Sequence, residues 1–101
     1  FLWDASLQVL SPYSLKIMDF DGGFIETNWI KDSTVRDQRC LIKSHITSSE
    51  LVSNGVKINI VCEKLVDNEW YVTDQDFSND EKQLILKILN EASILSLANK
   101  K

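Results

Sequence analysis

The chain has 101 residues, 44% of them hydrophobic, and a formal net charge of −4. That length supports one hydrophobic core and hardly a second, so residues 1–101 are expected to form a single α+β domain. The excess of acids disfavours nucleic acid or an anionic lipid surface as a partner, because both reward a Lys/Arg patch.

The chain opens at Phe1 with neither an initiating Met nor the apolar core of a signal peptide, which leads us to expect a segment of a longer precursor. No apolar run approaches the roughly 18 residues that span a bilayer. Trp3, Leu7 and Leu10 recur at helical spacing, so Phe1 to Leu10 reads as a short amphipathic helix. Pro12 is expected to end it by pushing Ser11 out of the α region. Ser14 to Asp19 and Gly23 to Lys31 follow as extended runs around an Asp21, Gly22, Gly23 turn. Gly22 and Gly23 are the structural turn residues, since glycine takes positive φ without steric cost.

Polar residues Asp32 to Gln38 read as a loop. Beyond it Cys40, Ile42 and Ile46 alternate with Lys43, His45 and Thr47, and Val56, Ile58, Ile60 and Cys62 alternate with Lys57, Asn59 and Glu63. A hairpin folded symmetrically about Leu51 pairs Ile46 with Val56, Ile42 with Ile60 and Cys40 with Cys62. The two cysteines then face one another as a cross-strand disulfide or as a pair of packed thiols. A further strand, Trp70 to Thr73, follows Asp67 and Asn68. A three-residue loop ending at Glu69 would keep Trp70 and Val72 on the face of Cys62, and a two-residue loop would reverse them.

Ser78 and Glu81 have the spacing of a capping box, and the helix they open carries an apolar stripe at Ile85, Ile88, Leu89, Ala92 and Leu95, with Lys82, Lys87 and Glu91 solvated. The order predicts an antiparallel sheet of about five strands, flanked by a short N-terminal helix and a long C-terminal helix on one face.

Leu2, Trp3, Ala5, Ser6, Leu7 and Leu10, then Asp19, Gly22, Gly23, Ile25, Thr27 and Trp29, then Leu51, Gly55, Val56 and Val61, form a pattern that resembles a family of short alphaproteobacterial envelope proteins. Many of these are made as lipoproteins and are catalogued only as a domain of unknown function. The element order is also similar to the helix-grip domains of BamC, a lipoprotein of the outer-membrane barrel-assembly machinery. These resemblances imply a periplasmic module, tethered to the outer membrane through an anchor outside this chain, with another envelope protein as its partner. They carry no activity.

The residues themselves point the same way. A Cys nucleophile needs a basic partner, and the single His45 falls on the opposite face and reads as a solvated strand histidine. Asp74, Asp76, Ser78 and Asp80 imitate half of a calcium loop, but Asn79 stands where its Gly belongs and Ile85 where its Glu belongs, so the acids read as helix-start residues. Asp19 and Asp21 flank a tight turn and are explained by it. No catalytic residue, metal or cofactor is expected. By alternation Ile25 and Trp29 share one face of their strand and Phe24 and Ile30 the other, so Ile25 and Trp29 are the candidate interaction surface. The leading expectation is a non-enzymatic interaction or structural module. The alternative is a carrier or sensor of a small apolar ligand held between the sheet and the C-terminal helix.

Overall fold

The computed structural model describes residues 1–32, 34–48 and 53–98. Helix α1 (Leu2–Leu10) buries Leu2, Ala5, Ser6 and Leu10 at helical spacing. It does not break at Pro12. Ser11 keeps α dihedrals, its hydroxyl donates to the Gln8 carbonyl, and the chain tightens into a 3-10 turn over Ser11–Tyr13. The break comes at Ser14, whose φ of 66° reverses the chain. That position is held because Asn28 donates both its backbone N–H to the Ser14 carbonyl and its side-chain amide to the Ser14 hydroxyl.

The sheet is antiparallel, with order β1 (Leu15–Asp19), β2 (Phe24–Thr27), β4 (Val35–Ile46), β5 (Val56–Val66) and β6 (Glu69–Val72), and β3 (Ile30–Asp32) beside the far half of β4. The run from Gly23 to Lys31 is thus two strands rather than one. Thr27 is the reason: its buried hydroxyl accepts the Ile42 N–H and donates to the Asn28 carbonyl, which ends β2 there. Much of the segment expected as a loop, Asp32 to Gln38, is strand, since β4 begins at Val35. Leu51, the expected centre of the long hairpin, lies outside the described residues. The pairing itself is as the alternation requires, with Ile46 opposite Val56, Ile42 opposite Ile60 and Cys40 opposite Cys62.

Helix α2 (Ser78–Ala98) packs beside α1 on the same face. Its buried line is Leu84, Ile88 and Ala92, with Ile85, Leu89 and Leu95 half-buried on its flanks. Leu84 replaces Ile85 at the centre, and Glu91 is half-buried rather than solvated like Lys82 and Lys87. The capping box does not form. The Ser78 N–H is taken by Asp76, the Glu81 N–H by the Phe77 carbonyl, and the Glu81 carboxylate reaches across to accept the Ile60 N–H at 2.8 Å. Because β6 is four residues long and pairs only with Glu63 to Val66, that N–H on β5 has no neighbouring strand to receive it.

Ile88 is fully buried between the two layers. Ile88→Ala is expected to cost about 2 to 4 kcal/mol, and the exposed Lys87→Ala less than about 0.5, read by chemical denaturation. Equal losses would mean the helix is rotated. At the β1–β2 turn Gly23 has φ 75°, and a Cβ there would lie 2.4 Å from the Ile46 carbonyl oxygen, which is backbone. A Cβ on Gly22 meets chiefly the movable Asp19 carboxylate. Gly23→Ala should therefore destabilise by more than about 1 kcal/mol, and Gly22→Ala by less, in the same assay.

Candidate functional site

Both helices cover one face of the sheet, so the other face carries whatever the strands point outward. Its far end is organised by Arg39. Alternation on β4 turns Cys40 toward the helices and Arg39 away from them. Glu63 is the direct partner of Arg39 on β5, and its carboxylate accepts from Nε at 2.9 Å and from Nη2 at 2.6 Å. The guanidinium carbon lies over both indoles, 4.1 Å from the ring centre of Trp29 and 4.2 Å from that of Trp70. A planar, weakly hydrated cation suits this slot in a way that an ammonium does not.

Two local features bring those tryptophans together. Asp67 and Asn68 both have positive φ, 52° and 66°, which makes a two-residue hairpin turn with Val66 opposite Glu69. This settles the face of β6: Trp70 pairs with Leu65 and Val72 with Glu63, so both point away from the helices. The break after Thr27 carries Trp29 to the same outer side, and it does not share the face of Ile25. Ile25 itself is 1% exposed inside the core and is no part of any surface. It pairs with Ser44, and the sequence reading erred by running alternation through the break at Asn28.

The near end of the same face is a groove of about 410 Å³ bordered by Ile17, Phe24, Glu26, Lys43, His45 and Lys57. His45 is not freely solvated; it is half-buried and stacks on Phe24 with centroids 4.1 Å apart and planes 10° from parallel. Phe20, 70% exposed, meets Trp3 edge-on at 5.3 Å beyond the turn. Asp19 accepts the Gly22 N–H, a turn role, and Asp21 is exposed.

On the helix-covered side a disulfide joins Cys40 and Cys62, which close 22 residues of sequence separation. A second groove of about 360 Å³ runs beside it, bordered by Ile42, Ile60, Tyr13, Leu84 and the polar Asp80 and Lys87. The interface next to this groove is filled, with Ile88 and Ala92 fully buried and Ile58 9% exposed. Asp74, Asp76, Ser78 and Asp80 are all exposed, and the bond from the Ser78 N–H holds the Asp76 carboxyl below its usual range. Among the described residues no three His, Cys, Asp or Glu side chains gather as a metal site, and neither cysteine is free. Sequence reasoning missed Arg39 and Glu63; opposite charges at directly paired positions of the long hairpin were the available signal.

The geometry defines an α+β domain with a helix-covered sheet face closed by a disulfide and a bare face built from aromatic and charged side chains. A domain of unknown function (DUF3576) matches residues 1–97, and the chain belongs to that family. It is similar to an uncharacterized protein of Rickettsia prowazekii (strain Madrid E), 28% identical over 92 residues, which are 91% of this chain and 54% of that protein. The chain thus spans about half the length of that relative. A rickettsial match fits an uncharacterised alphaproteobacterial family. No solved structure matches.

Closing a loop of this length restricts the unfolded chain, so the double variant Cys40→Ala with Cys62→Ala should lose about 3 kcal/mol in denaturation. An unchanged midpoint would remove the bond from the account of stability. Arg39→Ala leaves Glu63 half-buried and unpaired and opens the space between the indoles, for an expected cost of about 1 to 2 kcal/mol. Arg39→Lys should recover only part of it. Full recovery by lysine would mean that charge alone matters and the stacking does not.

Proposed function

We propose that this domain is a non-enzymatic interaction or structural module of the cell envelope, facing the periplasm and held at the outer membrane by an anchor outside this chain. The bare sheet face carries the reading. It is one side of an otherwise two-layered domain, and it bears exposed Phe24 and Val72 together with the Trp29, Arg39, Trp70 ladder. Such a surface is suited to contact with another protein. The Cys40–Cys62 bond supports an oxidising compartment. Tying both thiols into that bond, with His45 stacked on the opposite face, supports a role without nucleophilic chemistry.

The test is a photoreactive amino acid placed singly at Val72 or Phe24 on the bare face and at the exposed Lys82 on α2, in the full-length protein within its host. Cross-links from the first two positions and none from Lys82 are expected, in a periplasmic fraction. Cross-links only from Lys82, or a cytoplasmic protein with two free thiols, would overturn the proposal.

The groove beside the disulfide favours a second reading, a carrier of a small apolar ligand between sheet and α2. Its polar rim of Asp80 and Lys87 and the filled layer next to it make it the poorer account. Saturable binding of a fluorescent fatty acid, abolished by Leu84→Arg, would reverse that order.

A further inference from the structure

The near end of the bare face is complementary to itself. Strand pairing lays the outward side chains in rows across β1, β2, β4 and β5. One row runs Asp19, Phe24, His45, Lys57, and the next runs Ile17, Glu26, Lys43, Asn59. Acids therefore occupy the β1–β2 half and ammonium groups the β4–β5 half, with an aromatic pair at the centre of the first row. Among the described residues, Asp19, Glu26, Lys43 and Lys57 join no ion pair; the salt bridge on this face is that of Arg39 with Glu63.

A twofold axis parallel to the strands, between β2 and β4, exchanges the halves while keeping each row in place. It sets Asp19 of one copy against Lys57 of the other, Glu26 against Lys43, and the Phe24 ring against the His45 ring. Every contact then recurs by symmetry, as a closed isologous interface demands. The sheets would stack with strands nearly aligned, the ordinary arrangement of a β-sandwich. Within one chain Asp19 and Lys57 are three strand spacings apart, about 14 Å, so only a second copy brings them together.

From this complementarity we propose that the groove face between β1 and β5 binds a second copy of this chain, forming a twofold dimer through sheet-to-sheet packing. The proposal rests on the interaction-module reading and names the partner of its bare face.

Sedimentation of the disulfide-bonded chain, alone and with reversed charges, tests it. The wild-type chain should dimerise, and more weakly as salt rises, because the Asp19–Lys57 pairs lie on the outer strands of the contact, within reach of water. Asp19→Lys and Lys57→Glu each set like charges against one another and should weaken the dimer at least about tenfold. Mixing the two variants restores opposite charges at both contacts, and the mixture should form the heterodimer while each variant alone stays monomeric. Both positions are exposed, but Asp19 also accepts the Gly22 N–H at the turn and a lost dimer lowers the thermal midpoint, so an unchanged far-ultraviolet circular dichroism spectrum checks that each variant keeps the fold. A wild-type chain that remains monomeric up to about 1 mM, single variants that dimerise like wild type, or a mixture that fails to associate would each overturn the dimer. Cross-links from Phe24 to a different protein, with a monomeric chain, would sink the dimer and leave the interaction module standing. Cross-links confined to Lys82 would sink that broader reading.

Discussion

The pairing of β4 with β5 is the constraint on which the rest of the structure depends. Nine consecutive residue pairs, from Gln38 with Lys64 to Ile46 with Val56, decide which side chains meet the helices and which do not. A slip by one residue would exchange the two faces and place Arg39, Lys43 and Lys57 in the core, at a cost no other contact could offset. The Cys40–Cys62 bond is covalent only in the correct register, so it and the hydrophobic pattern select the same pairing.

From that register the two faces acquire different physics. On the covered side the driving force is apolar burial: Ile25, Ile42, Val56 and Ile58 meet Leu2, Leu10, Leu84 and Ile88. Small residues, Ala5 on α1 and Ala92 on α2, are fully buried in the same cluster. On the bare side order comes from electrostatics and ring stacking, since among the described residues no helix lies over it. Leu41 shows the difference: it points outward on β4 yet is 8% exposed, in the row next to the Arg39 and Glu63 pair.

How much of this is legible in the sequence depends on whether a local pattern has a single physical solution. The long hairpin was readable because one face of each strand is continuously apolar, and the Cys40, Ile42, Ile46 series admits one partner series. The β1–β2 turn was readable because glycine takes positive φ without steric cost, as Gly23 does. The α2 stripe was displaced by one position because the helix lies against both α1 and the sheet, which widens the buried arc and moves its centre to Leu84. The capping box was misread for a different reason. Glu81 has two competing acceptor roles, and the unpaired Ile60 N–H on β5, distant in sequence, wins. The arginine ladder was legible only in pieces: the opposed charges of Arg39 and Glu63 follow from the hairpin register and the two-residue turn was one of two loop lengths the sequence allows, but the break at Asn28 inverts an alternation that sequence alone would continue.

The turn at Asp67 and Asn68 decides which side chains the rest of β6 shows to each side of the sheet. A hairpin loop counts residues in the way a parity bit does: two keep Trp70 and Val72 outside, and three would carry both to the side of the disulfide. A turn that drew Glu69 in as a third residue would pair Val66 with Trp70 instead, taking the second indole away from Arg39 and presenting Tyr71 in its place. What the bare face presents is therefore encoded in which residue stands opposite Val66, and a turn that absorbed Glu69 would rewrite that face without any change at Trp70 or Arg39.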